Sequence, residues 1–268
     1  YSLHRRGDVR VRLLIFLSIA ALAISGVSAQ PPLPADLHLM TVADDGKPRP
    51  WAILFPRAMG VGKLAPGNQY VDLAAFLNQR GIDVLIVDDD AALKRLKPTG
   101  STGEKRAAIA LDALAALRGA GHFDMRCPGV AVGWSRGGEG ALTLASDRRG
   151  IDSGFRAAIV FYPSVGGQPT PWPQRMAVLA LQGADDGIAP ARKLAALAEG
   201  RVKNDEHPFM IKLYLGARHR FDVAHPTDDP ANGRIERDYD AKAHADALNA
   251  IDAFLKEQAI SGESCALD

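Results

Sequence analysis

The chain has 268 residues, 47% hydrophobic and 24% charged, with 32 Lys and Arg against 31 Asp and Glu. That composition is ordinary for a globular protein and supplies one sizeable core. The charges nearly cancel and form no clustered basic face, which excludes a nucleic-acid footprint.

Residues 1–29 read as a signal peptide. Arg5, Arg6, Arg10 and Arg12 make a positive segment, Leu13 to Val27 is apolar except at Ser18, Ser25 and Gly26, and Val27-Ser28-Ala29 matches a signal-peptidase site. The apolar stretch is short for a membrane span, which takes about 20 residues. An uncleaved anchor is the alternative. Without the leader, 28 basic and 30 acidic residues remain. The expectation is one domain over residues 30–268, exported to the periplasm or secreted, with no stable membrane association after cleavage.

Pro31-Pro32-Leu33-Pro34 follows as a stiff, extended spacer. From there, short apolar runs alternate with helical patterns. Trp51 to Phe55 reads as a strand, Tyr70 to Gln79 as a helix stopped at Gly81, and Val84 to Val87 as a buried strand running into three aspartates. Glu104 to Leu117 is an Ala/Leu-rich helix with Ser101 or Thr102 as its cap. Strands follow at 130–132, 157–162, 177–181 and 209–215, and helices at 138–145, 190–198 and 241–255. Continuous apolar strands alternating with helices imply an α/β fold, a mostly parallel sheet with helices on both faces. Ligands gather at the carboxyl ends of such strands.

Gly133-Trp134-Ser135-Arg136-Gly137 matches G-x-S-x-G between a strand and a helix, the context that a nucleophile elbow requires. Ser135 is the candidate nucleophile. A serine hydroxyl needs a base to take its proton, usually a His oriented by a carboxylate. Two later strand ends supply these in the order Ser, Asp, His. Leu179 to Asp186 ends one strand, and Asp186 is chosen over Asp185 for its position relative to Gly183 and Pro190; capping of the next helix is the alternative role. Tyr214-Leu215-Gly216-Ala217-Arg218-His219 ends the next, making His219 the candidate base and His225 its rival. Ser135 would then attack an ester or lactone carbonyl. The oxyanion would be held by backbone N–H groups of Arg136 and of Ala58 in the loop after the first strand.

These residues resemble the dienelactone hydrolase family of the α/β-hydrolase superfamily. The likeness runs from about Trp51 to Phe254 and rests on Gly133 to Gly138, on Gly183-Ala184-Asp185-Asp186 with Pro190, on Phe161-Tyr162-Pro163 and on Tyr214 to Phe221. It implies the fold and the triad. Dienelactone hydrolases proper carry Cys where this chain has Ser135. Their first catalytic loop reads Q-E-[IV]-[FW]-G, whereas this chain reads Pro56-Arg57-Ala58-Met59-Gly60, with Arg57 in place of the Glu. A Ser–His pair needs no carboxylate to control its nucleophile. Arg57 and Arg136 are candidates to pair with an acidic substrate group, and Trp134 to line an apolar pocket, like Trp172.

The expected partner is a small-molecule ester or lactone, with no cofactor and no metal. A peptidase with the same triad and a catalytically silent binding protein are the competing readings. A metal site from His219, Asp222 and His225 matches no standard ligand spacing. Cys127 and Cys265 are either a disulfide, as export permits, or two separate thiols. Their separation in space decides between these.

Overall fold

The computed structural model describes residues 32–42, 47–124, 126–202, 206–224, 238–261 and 265. The leader reading at residues 1–29 and the rival His225 lie outside the described residues. The strands are β1 (Leu37–Met40), β2 (Trp51–Phe55), β3 (Asp83–Val87), β4 (Gly129–Trp134), β5 (Phe155–Phe161), β6 (Trp172–Pro173), β7 (Ala177–Gly183), β8 (Arg201–Val202) and β9 (Phe209–Tyr214). The helices are α1 (Gln69–Asn78), α2 (Asp89–Leu96), α3 (Thr102–Gly119), α4 (Arg136–Ser146), α5 (Arg148–Asp152), α6 (Ala191–Glu199) and α7 (Ala241–Glu257).

Seven strands form one sheet in the order β1-β3-β2-β4-β5-β7-β9, parallel throughout except for the antiparallel β1–β3 pair. β6 and β8 form a separate short pair. The central strands bury every residue of β2, β4 and β7 because both faces are covered. Their period of two divides the apolar side chains between two clusters. Trp51, Ile53 and Phe55 pack with residues of α2, α3, α4 and α6, while Ala52 and Leu54 pack with α1 and α7. Full burial stabilises each such Leu, Ile or Phe by roughly 1.5–3 kcal/mol.

Local signals place the helix ends. Ser101 and Glu104 form a reciprocal capping box at α3, which satisfies two backbone donors. Asp88 caps α2, with Asp89 and Asp90 in the first turn and Lys94 and Arg95 in the last, matching the helix dipole. Cys127 and Cys265 are bonded, with Cα atoms 5.0 Å apart, so the two-thiol alternative does not hold. No helix among the described residues is long and apolar enough to cross a membrane.

Candidate active site

Parallel order brings the carboxyl ends of β2, β4, β5, β7 and β9 to one edge of the sheet, and the candidate residues sit in the loops there. Ser135 joins β4 to α4 with φ 51° and ψ −111°. A non-glycine residue holds that conformation only where its surroundings over-determine it. Here three backbone bonds do so. The Ser135 N–H donates to Phe161 O at 3.0 Å, and its carbonyl accepts from the N–H groups of Ser164 at 2.9 Å and Glu139 at 3.2 Å. Two glycines make the turn possible. A Cβ on Gly133 would strike the Gly137 backbone, and one on Gly137 would strike the carbonyls of Phe55 and Pro56. The second contact packs the elbow against the start of the loop carrying Arg57 and Ala58.

Asp186 and His219 meet across neighbouring strand ends. Asp186 Oδ2 lies 2.8 Å from His219 Nδ1, and both side chains are buried. Asp186 Oδ1 accepts the N–H groups of Ile188 and Ala189, each at 2.8 Å, and Gln182 Nε2 donates to Oδ2 at 3.2 Å. The carboxylate thus faces only donors. Burial opposes its ionisation, but the hydrogen bond and charge of His219 and the two backbone N–H groups outweigh burial and hold the carboxyl below its usual range. Asp185 is exposed and points to a different role; its N–H donates to Ala217 O at 3.0 Å and lashes the two loops together. His219 packs against Tyr162, ring centroids 4.4 Å apart. Tyr162 itself follows Phe161, the residue that accepts the Ser135 N–H.

Ala58 and Arg136, the candidate oxyanion residues, line one cavity of about 490 Å³. Arg136 is the first residue of α4, where backbone N–H groups have no intrahelical acceptor and the helix dipole favours negative charge. The cavity also carries Lys97, Lys105, Arg106 and Asp90. Arg106 is buried against Asp89 at 2.5 Å. Burial pushes the Asp89 carboxyl up to about 6 although Arg106 pulls it down. Arg57 is half-buried and outside this cavity; its N–H donates to the Tyr70 hydroxyl at 3.1 Å.

Trp134 is enclosed, with 1% exposure. Its ring stacks on Phe161 at 5.0 Å and meets Tyr70 edge-on at 5.0 Å, and it lines a small cavity of about 70 Å³ instead of the larger one. Trp172 is fully buried with its N–H on Gln168. Among the described residues, no group of three or more His, Cys, Asp or Glu is placed to hold a metal. Asp222, weighed in the sequence only as a ligand, instead accepts hydrogen bonds from Trp134 and Tyr162. No local pattern could have shown this, because its partners lie 88 and 60 residues away.

The model of the dienelactone hydrolase family matches residues 70–259, which include Ser135, Asp186 and His219. The chain belongs to the dienelactone hydrolase family. It is a carboxylic ester hydrolase with an α/β-hydrolase fold. The loop holding Arg57 and Ala58 precedes the matched residues. Among solved structures, the chain is similar to Thermogutta terrifontis esterase 2 phosphoramylated by tabun, at 20% identity and TM-score 0.57 over 84% of this chain and 90% of that one. The same esterase phosphorylated by paraoxon matches at 19% identity and TM-score 0.57, over 84% and 89%. Its propionate-bound form matches at 19% and 0.57, over 84% and 90%. These likenesses concern the fold. No curated protein matches the chain in sequence.

Proposed function

We propose that this dienelactone hydrolase family member cleaves a carboxylic ester or lactone through an acyl-enzyme on Ser135. The observation that carries the reading is the buried Asp186–His219 pair at the ends of β7 and β9, at the same sheet edge as the strained Ser135 at the end of β4. The reaction of the Thermogutta esterase with tabun and paraoxon supports a covalent route.

Asp186 engages Nδ1 and leaves Nε2 of His219 to work as the base. Ser135 Oγ attacks the carbonyl carbon and passes its proton to Nε2. The tetrahedral oxyanion is held by the N–H groups of Arg136 and Ala58. His219 then protonates the leaving alcohol oxygen as the C–O bond breaks. Water adds to the acyl carbon, giving its proton to His219, and Ser135 leaves with that proton as the acid is released. Export, from the leader pattern, belongs to this proposal. The Cys127–Cys265 disulfide fits an oxidising compartment.

Short-chain nitrophenyl esters test the reaction. Ser135→Ala is expected to lose at least about 10³-fold in kcat while unfolding like the wild type. Turnover retained in that variant would remove Ser135 from the mechanism.

We infer that this cavity, lined by Arg136 next in the chain to Ser135, receives part of the substrate, so its charge bears on substrate choice. Lys97, Lys105 and Arg136 outnumber Asp90, while Arg106 is balanced by Asp89. An ester bearing a carboxylate is therefore expected to be favoured over a neutral one at low salt. Lys97→Ala with Lys105→Ala should lower kcat/KM about tenfold for nitrophenyl hemisuccinate and by less than about twofold for nitrophenyl acetate. Equal losses on both esters would show that the lysines do not read charge.

A further inference from the structure

We propose that Asp222 is a positioning residue whose buried carboxylate ties the nucleophile elbow, the end of β5 and the His219 loop into one unit. The proposal rests on the Ser135–His219 reading and adds a component that the proton transfers themselves do not use.

Asp222 is 4% exposed and lies three residues after His219. Its Oδ2 accepts the Trp134 indole N–H at 2.6 Å, and its Oδ1 accepts the Tyr162 hydroxyl at 2.7 Å. Each partner is next to the chemistry. Trp134 immediately precedes Ser135 in the chain. Tyr162 lies against the His219 ring and adopts a φ of 37°, outside the ordinary range for its type. The Tyr162 N–H donates to Leu181 O at 2.8 Å, joining β7 to the same unit. Phe221, beside Asp222, meets the Tyr162 ring edge-on at 5.8 Å.

Trp134 and Tyr162 have almost no exposure, so their polar hydrogens need acceptors inside the protein. An indole N–H can only donate. A carboxylate offers an oxygen to each donor, and charge-assisted bonds of this length are short and strong. Burial pushes the Asp222 carboxyl up, while the Tyr162 and Trp134 hydrogen bonds and the charge of His244 oppose that push. Strand-end loops are the least constrained parts of such a fold. The Asp186 bond sets the tilt of the imidazole; Asp222 sets where its loop sits relative to Ser135. A displacement of about 1 Å at a reacting pair costs on the order of 100-fold in rate.

Three variants test this, with Ser135→Ala as the control. Asp222→Ala is expected to lower kcat on nitrophenyl acetate about 100-fold with KM within about twofold. Asp222→Asn keeps an oxygen for the Trp134 N–H and offers an N–H to the Tyr162 oxygen, so it should recover kcat to within about fivefold of wild type. Tyr162→Phe keeps the ring against His219 but loses the bond, and should cost about tenfold alone and little more in Asp222→Ala. All rates are normalised to folded protein by thermal unfolding. A folded Asp222→Ala with wild-type kcat overturns the proposal, as does a loss explained wholly by its unfolded fraction. If Asp222→Ala does not fold, Tyr162→Phe decides: unchanged kcat overturns the proposal. Activity surviving in Ser135→Ala would instead defeat the reading of Ser135 as the nucleophile, whatever the Asp222 variants do.

Discussion

Asp186→Asn lowers kcat by about 10⁴-fold and leaves the fold intact. The reason lies in the count of donors around this carboxylate. Oδ1 is committed to the N–H groups of Ile188 and Ala189, so an Asn would place its carbonyl there and turn its NH₂ toward His219 and Gln182. Nδ1 of His219 would then have to accept, which puts the ring proton on Nε2, the nitrogen that must receive the Ser135 proton. Gln182 Nε2 would face a second donor, which adds a modest loss of stability. The exposed Asp185 provides the contrast: Asp185→Asn should stay within about twofold of wild type. Equal effects at 185 and 186 would contradict the assignment. The stability side of the same group has a definite sign. The Asp186 carboxyl is depressed in the folded protein, so its contribution is present above the usual carboxylate range and is lost as pH falls through the depressed value. The stability gap between wild type and Asp186→Asn therefore narrows on acidification.

Reduction of Cys127–Cys265 has the largest expected effect on stability. The bond closes a loop of 138 residues, and its loss should cost about 2–5 kcal/mol. For a domain of this size that is roughly 5–15 °C in Tm. Both cysteines are buried, and they belong to the same apolar cluster as Trp51 and Phe123. Cys127 precedes β4, so the bond anchors position 265 at the end of the central strand opposite to Ser135. Thermal unfolding with and without reductant, and of Cys127→Ser, checks this. The two measurements should agree, and kcat below the transition should change little. A Tm unmoved by reductant in protein shown to hold free thiols would contradict the role.

The candidate site was legible in the sequence where its signals are local. The elbow is a strand, a tight turn and a helix in succession, and the glycines at 133 and 137 stand where backbone would otherwise collide with side chains. Asp186 and His219 were legible because parallel strands place their carboxyl ends at one edge, so strand order and chain order suffice. The alternation of β2, β3, β4, β5, β7 and β9 with helices was readable for the same reason, whereas the two-residue strands β6 and β8 were not read. β1 was not, because one buried and three half-exposed residues carry little pattern and their pairing with β3 spans 40 or more residues. α2 was read as an acidic run, although Asp88 as its cap and the basic residues of its last turn were the signal for a helix. The partners of Asp222 and the choice between disulfide and free thiols depend on distances that only the folded chain sets. Arg57 and Arg136 looked alike in sequence; the fold puts only Arg136 in the larger cavity.

The most direct test of the account is the site of covalent capture. Wild-type protein is incubated with a fluorophosphonate, digested, and mapped by mass spectrometry. The account predicts one adduct, on Ser135, absent in Ser135→Ala and formed far more slowly in His219→Ala. An adduct on another residue, or none on folded protein that still hydrolyses esters, would contradict it.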